Sequence, residues 1–206
     1  SERKFQLHEV IRLSGMNIII NDLDQPLIIK VASLPGERLQ VYFIDNEEYF
    51  KRKQYYFDDE GHPFEDNNER AVFFARGVIE TIKKLNWVPD VIHLNGWMSS
   101  LIPIYLKTYY KDDSYFKDTK IVLSVYNEED LKLNENTKEI LEFDNISDLQ
   151  SLDNPSFLNF VNDSMNYVDV IVKGNEFLEE KLEEAFAKAE AEKSDYLNAD
   201  SIAKIY

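Results

Sequence analysis

The amino-acid sequence predicts an α/β fold: a mostly parallel sheet with helices on both faces, preceded by a β-hairpin. After residue 39, short apolar runs alternate with amphipathic segments, which is typical of parallel strands joined by helices. Before residue 39, two apolar runs lie too close together for a helical crossover, which favours a hairpin. The 206 residues are 44% apolar, so one domain with a substantial core is expected.

The first part of the chain predicts strands and turns. Asn21-Asp22 and Pro35-Gly36 are turn signals between apolar runs. The predicted strands of this part are residues 16–20, 26–32 and 39–44. Residues 47–65 are polar and aromatic without a period, and we expect an ordered loop there.

A long helix is predicted next. Asp66, Asn67 and Asn68 are candidates for its N-cap. The apolar residues that follow fall on one helical face: Ala71, Phe74, Ala75, Val78, Ile82 and Leu85. Pro89 ends the helical pattern, and residues 90–93 form the next strand.

The rest of the chain alternates between strands and helices. Asn95-Gly96 is a turn signal, and the residues from Trp97 to Tyr110 have helical spacing. We expect strands near residues 39, 91, 121 and 170 to be parallel neighbours, with the strand at 91 inside the sheet. Residues 128–142 are expected to be exposed. Further helices are predicted at residues 147–152, 154–166 and 177–189, and in a tail that carries Leu197, Ile202 and Ile205.

The composition argues against several classes of function. With 39 acidic and 23 basic residues the formal charge is −16, which repels nucleic-acid phosphates and anionic lipid. There are no cysteines, so disulfides and thiolate chemistry are excluded and a cytoplasmic location is expected. No GxGxxG, P-loop, HExxH or GxSxG motif is present. We therefore expect no metal, no cofactor, and no binding to nucleic acid or membranes.

Polar and aromatic residues follow the predicted strands. His93, Asn95 and Trp97 come at the end of one strand, and Tyr126 and Asn127 at the end of the next. The carboxyl ends of parallel strands meet at one sheet edge, where ligands bind in open α/β folds. Each residue also has a structural interpretation, which taken singly is favoured: His93 and Trp97 as core residues and Asp66 as a helix cap.

Several collinear stretches resemble the bacterial glycogen synthases and plant starch synthases, glycosyltransferase family 5. The matching stretches are residues 41–45, 49–52, 66–70, 73–76, 87–93, 101–107, 124–127 and 167–171. The resemblance implies the N-terminal, Rossmann-like half of a GT-B fold. It further implies transfer of glucose from ADP-glucose to the 4-hydroxyl of an α-1,4-glucan, without a metal.

The resemblance is to a degenerate and truncated form of the family. Where the family has His-x-His/Asn-Asp-Trp, this chain has Gly96 in place of the aspartate, and Tyr126 replaces a family histidine. The family's Lys-x-Gly-Gly-Leu loop is not found. We therefore expect residues 1–206 to be a single domain without the first βα unit and without the C-terminal nucleotide-binding half.

The resemblance carries over Asp66, Asn95, Trp97 and Asn127, and His93 and Tyr126 join them as candidates for glucose or glucan binding because of their places at the strand ends; no catalytic residue is assigned. The set is Asp66, His93, Asn95, Trp97, Tyr126 and Asn127. The chain is expected to be a synthase-like glucosyltransferase domain that is inactive in isolation. The alternative is a non-catalytic regulatory domain that binds glucan or a partner.

The expected ligand is an α-glucan or a sugar nucleotide. The strand at residues 39–44 would expose a sheet edge, and unpaired edges tend to be covered. We expect the hairpin at residues 16–32 to cover it, or else a second copy or a partner chain.

Overall fold

The computed structural model describes residues 8–34, 36 and 38–196, with side chains from residue 15 onward. The chain divides into two compact units, Ser1–His62 and Pro63–Tyr206. In the described part, no helix has the length and apolar character needed to cross a membrane. That residues 1–206 form a single domain stays a prediction.

The first unit contains a three-stranded antiparallel sheet of order β1-β2-β3. Its strands are β1 (His8–Ile20), β2 (Leu23–Ser33) and β3 (Gln40–Asp45). Asn21 and Asp22 connect β1 to β2 with φ angles of 45° and 67°. Two successive positive φ angles give a tight turn that suits the twist of a hairpin. The predicted hairpin is confirmed, and its first strand starts earlier than expected.

Gly15 explains the longer first strand. The predicted strand began only after this glycine, at residue 16, but the observed strand continues through it. Gly15 has a φ of +90° and lies where the register of β1 against β2 shifts, between Leu13 and Met16. An irregularity of this kind bends a strand without ending it.

The strand at residues 39–44 was wrongly expected in the parallel sheet. It is β3, and it pairs antiparallel with β2 from Ile28↔Asp45 to Ser33↔Gln40. The amide of Leu34 donates to the carbonyl of Leu39 at 3.0 Å, which closes a connection far too short for a parallel crossover. The expected cover of this strand by the hairpin is confirmed. Of the turn predicted at residues 35 and 36, Gly36 lies in a turn and Pro35 is outside the described residues.

A short helix, α1 (Glu47–Phe50), lies where the sequence predicted a loop. The Asn46 side chain accepts hydrogen bonds from the amides of Glu48 and Tyr49, both at 2.9 Å. Its Nδ2 atom donates to Gln25 Oε1 and to the carbonyl of Pro26, both at 3.1 Å. One buried asparagine therefore starts the helix and attaches it to β2.

The second unit is a four-stranded parallel sheet flanked by helices, and the predicted fold class is confirmed. The sheet order is β4-β5-β6-β7. The strands are β4 (Val91–Asn95), β5 (Lys120–Val125), β6 (Val170–Lys173) and β7 (Glu192–Ser194). The helices are α2 (Asn67–Lys84), α3 (Leu101–Lys107), α4 (Thr137–Phe143), α5 (Phe157–Ser164) and α6 (Glu180–Lys188).

The sheet differs from the prediction at both ends. Because the strand at residues 40–45 belongs to the antiparallel sheet, β4 lies at an end of the described parallel sheet and not inside it. The fourth parallel strand is β7, which pairs with β6 from Val170↔Glu192 to Val172↔Ser194. Glu192-Lys193-Ser194 carries no apolar signal, so the sequence pattern missed it. The predicted tail helix with Leu197, Ile202 and Ile205 lies outside the described residues.

The helices follow the sequence signals with local differences. The long helix is confirmed as α2, and Asp66 precedes it without making a side-chain capping bond to its amides. Residues 97–99 form a 3-10 turn before α3, so the helix predicted from Trp97 is split. The stretch at 128–142, expected to be exposed, contains most of α4, whose Ile140 and Leu141 are buried. Ser156 caps α5 by accepting from the amide of Asn159 at 3.3 Å.

Candidate functional site

Three strand ends define the candidate site at the carboxyl edge of the parallel sheet. Asn95 ends β4, Tyr126 follows β5 and Gly174 follows β6. The Tyr126 hydroxyl donates to Asn95 Oδ1 at 2.9 Å. Two residues that the sequence placed at separate strand ends are thus bonded to each other in the structure.

Tyr126 is held over the end of β6 by a close approach to Gly174. A Cβ atom added at residue 174 would lie 2.4 Å from Cε1 of the Tyr126 ring. The Gly174 amide also donates to the carbonyl of Val125 at 2.7 Å. A glycine is needed here because the ring occupies the space that any side chain would fill.

Asn127 fixes the loop that leads from β6 to α6. Its Nδ2 atom donates to the carbonyl of Phe177 at 2.8 Å, and its Oδ1 atom accepts from the amide of Glu179 at 2.9 Å. Its own amide donates to Asn175 Oδ1 at 2.8 Å. Both polar atoms of the side chain are therefore engaged in positioning this loop, which carries the exposed Phe177 ring.

Glu128 is a site residue that the sequence analysis missed. Its Oε2 atom accepts a hydrogen bond from the amide of Trp97 at 2.8 Å. The other oxygen, Oε1, would lie 3.3 Å from a Cβ atom at Gly96, whose φ of +77° suits glycine. The residue as a whole is exposed, but its carboxylate lies against the turn. Burial raises the pKa of this carboxyl, and the bond from Trp97 opposes the rise.

No local motif could have revealed Glu128. It belongs to an acidic run, Glu128-Glu129-Asp130, that looks like an ordinary solvated loop. Its importance arises from the alignment of β4 with β5, where Asn95 pairs with Ser124, because this brings the residues after both strands together.

Trp97 belongs to the core and also lines the site. Its side chain is 1% exposed, and its ring stacks on Phe157 with a centroid distance of 3.5 Å and an interplanar angle of 12°. The stacked geometry covers one face of the indole. Phe157, the first residue of α5, is a second site residue that the sequence did not reveal. Its apolar character indicated only that it lies on the buried face of a helix.

Asp66, His93 and Asn95 are not among the described residues that line the pocket beside this edge, and Asn95 contacts it through its hydrogen bond with Tyr126. The Nε2 atom of His93 lies 2.8 Å from the hydroxyl oxygen of Ser124 on the neighbouring strand. Burial lowers the pKa of this imidazole, which favours its neutral form. The structural interpretation therefore accounts for the contacts of His93 that the structure shows.

An open pocket of about 640 Å³ lies beside the edge. Its apolar wall consists of Trp97, Phe157, Leu158, Val161 and Leu182. Its other described lining residues include the carboxylates Glu128, Glu129, Asp130, Glu179 and Glu180. Lys181 is the one cation among the described lining residues. An apolar wall with several hydrogen-bond acceptors suits a neutral ligand rich in hydroxyl groups better than a phosphate.

Comparisons with known proteins agree on the family. Residues 1–191 match the model of the starch synthase catalytic domain. The chain is 43% identical to a glycogen synthase of Chlorobium limicola over 128 residues, which is 62% of this chain and 26% of that protein. It is 40% identical to a glycogen synthase of Chlorobaculum tepidum with the same coverage.

A solved structure supports the same fold. The catalytic domain of starch synthase IV from Arabidopsis thaliana, bound to ADP and acarbose, superposes with a TM-score of 0.67 at 16% identity. The match covers 91% of this chain and 40% of that one. The chain spans 26% of the length of the curated relatives named above. Because the family model matches nearly the whole chain, this protein belongs to the family of starch synthase catalytic domains.

Proposed function

We propose that this chain is a glucan-binding part of a synthase-type glucosyltransferase, and that the 206 residues alone do not transfer glucose from ADP-glucose. The observation that carries the proposal is the composition of the pocket. The half-buried Tyr126 ring and Leu158 side chain offer apolar surface to a sugar ring, and the surrounding carboxylates accept hydrogen bonds from hydroxyl groups.

The same pocket is poorly suited to the donor. Glucosyl transfer from ADP-glucose requires positive groups to stabilise the departing diphosphate. Among the described lining residues five are acidic, and Lys181 is the one cation. Removal of a single well-placed stabilising group typically costs about 10²–10³ in rate, and Lys181 alone among the described lining residues could act as such a group.

The candidate residues divide into roles. We assign Asn95, Tyr126 and Trp97 to the sugar-binding edge, because the first two form a hydrogen-bonded pair and the third lines the pocket. Asn127 acts mainly through the loop that it holds. Asp66 and His93 stay as weaker candidates for contact with the glucan. A cytoplasmic location and the absence of nucleic-acid and membrane partners are part of the proposal.

The test uses the chain as it stands. Transfer of label from ADP-glucose to glycogen is measured, with calorimetric titration of maltooligosaccharides alongside. We expect no transfer and weak oligosaccharide binding. Tyr126→Ala should weaken binding, whereas Tyr115→Ala should not, because Tyr115 lies outside the pocket and its hydroxyl donates to Asn86 at 2.6 Å. Incorporation of label would overturn the proposal of inactivity, and absence of binding would overturn the proposal of a glucan site.

The second candidate function is a non-catalytic regulatory domain that binds glucan or a partner chain. The excess of carboxylates in the pocket favours it, since a catalytic site for a diphosphate donor needs the opposite charge. A second copy of the chain is the simplest such partner. Sedimentation at several concentrations, with and without maltooligosaccharide, distinguishes self-association from glucan binding.

A further inference from the structure

The Glu128 carboxylate is held in place by a hydrogen bond from the end of the neighbouring strand. Oε2 is fixed by the amide of Trp97 at 2.8 Å. That amide belongs to the 3-10 turn that follows β4, so the side chain reaches from the end of β5 to the end of β4. A carboxylate restrained in this way loses little conformational freedom when it binds a ligand.

The second oxygen of Glu128 faces a place where the chain has no side chain. Gly96 provides only a hydrogen atom there, and even a Cβ atom would come within 3.3 Å of Oε1. Within the part of the chain that the structure describes, Oε2 of Glu128 accepts the hydrogen bond from Trp97 and Oε1 accepts none. Because Glu128 lines the pocket, this leaves the residue one oxygen that can accept a hydrogen bond from a ligand.

We propose that Glu128 is a ligand-binding residue of this pocket, in which Oε1 accepts a hydrogen bond from a hydroxyl group of the bound glucan while Oε2 stays on the Trp97 amide. The inference rests on the proposed glucan site and adds a residue to it. The acidic group comes from the loop after β5 and lies against Gly96. Its bond to Trp97 links the ligand to the aromatic wall of the pocket.

Two variants of Glu128 distinguish a role in binding the ligand from a role in holding the Trp97 turn. Glu128→Gln keeps an oxygen that can accept from the Trp97 amide, but it removes the charge and replaces the second acceptor with a donor. Glu128→Ala removes both contacts. Glu176→Gln is the matched control, because it makes the same change of charge at an exposed residue of the neighbouring loop that does not line the pocket. Denaturant unfolding of each variant identifies any that fails to fold.

The experiment is calorimetric titration with maltooligosaccharides. A hydrogen bond to a charged group makes a larger contribution than a neutral one, so we expect Glu128→Gln to weaken binding about tenfold. Glu128→Ala should weaken it further, and Glu176→Gln should bind like the unmodified chain. Equal affinities for Glu128→Gln, Glu176→Gln and the unmodified chain would overturn the role of Glu128 and leave the glucan site intact. Failure of the unmodified chain to bind would overturn both.

The pH dependence of binding provides a readout that a purely structural role would not change. Protonation of Glu128 removes an acceptor, so the affinity of the unmodified chain should fall as the pH is lowered. Other titratable groups line the same pocket, namely Tyr126, Glu129, Asp130, Glu179, Glu180 and Lys181. Glu128→Gln retains all of them, so the difference between the two pH profiles isolates Glu128. Superimposable profiles would contradict the proposal.

Discussion

The aromatic ring of Tyr126 lies so close to Gly174 that a Cβ atom at residue 174 would stand 2.4 Å from Cε1 of the tyrosine. Gly174→Ala should therefore displace the ring and break its bond to Asn95. Inserting atoms into a filled space typically costs about 1–3 kcal/mol, and we expect a loss of unfolding free energy in that range. Denaturant unfolding measures it.

A double-mutant cycle supplies the control for Gly174. In a Tyr126→Ala background the space above residue 174 is empty, so Gly174→Ala should cost much less there than in the unmodified chain. An equal cost in both backgrounds would show that the clash with Tyr126 is not the cause.

The stacking of Trp97 on Phe157 should stabilise the folded chain, and its loss should be visible in the fluorescence of Trp97. Phe157 is 3% exposed, and truncating a buried phenylalanine to alanine typically costs about 3–5 kcal/mol. Phe157→Ala should also shift the emission of Trp97 to longer wavelength, because water reaches the indole. The exposed Trp87 is replaced by Phe throughout, so that Trp97 is the one tryptophan of the chain. Phe143→Ala, at a residue 46% exposed on α4, should change neither quantity appreciably.

Asp144 holds a buried polar cluster of the second unit together. It accepts from the Tyr105 hydroxyl at 2.6 Å and pairs with Arg76 Nη1 at 3.2 Å. Asp144→Ala leaves the guanidinium in the interior without this carboxylate, and removing one partner of a buried pair costs about 3–5 kcal/mol. Urea unfolding should show that loss, whereas Glu142→Ala on the exposed side of α4, the helix that ends just before Asp144, should stay within about 0.5 kcal/mol of the unmodified chain.

His93 should make the unfolding free energy depend on pH. Burial lowers its pKa below the ordinary value of 6.5, so the unfolded chain takes up the proton more readily than the folded one. The stability from neutral His93 is therefore complete above pH 6.5 and is lost as the pH falls through the lower pKa of the folded state. His93→Gln should reduce the slope of stability against pH in this range. An unchanged slope in His93→Gln would contradict this account.

The sequence predicted the elements of the second unit better than their arrangement. Apolar runs located β4, β5 and β6, and helical spacing located α2, because each buries a recognisable face. The pattern did not distinguish which strands pair. Residues 39–44 look like a strand of either sheet, and only the short connection from Leu34 to Leu39 decides for the antiparallel one. Glu192-Lys193-Ser194 is a strand because β6 offers a free edge, which no local signal reports.

The sequence predicted where the candidate site lies, because it located the strand ends that form it. The structure brings Asn95 and Tyr126 together, as expected of residues that follow adjacent parallel strands. The contacts that decide what each residue can do were not predictable, because they depend on side chains from loops far apart in sequence. The carboxylate of Glu128 on the Trp97 amide is one example, and the use of both polar atoms of Asn127 on the loop before α6 is another.

The two sheets differ in how much chain separates their paired strands, and this has a consequence for folding. β1 and β2 are joined by the two-residue turn at Asn21 and Asp22. The paired strands β5 and β6 are instead separated by the whole segment between Val125 and Val170. Pairing of distant segments is slow because loop closure comes before any gain from contacts. The hairpin should therefore acquire amide protection first, on a timescale of microseconds. Until β6 arrives, the apolar strand β5 is exposed to association with other copies, so dilute refolding should give a higher yield than concentrated refolding.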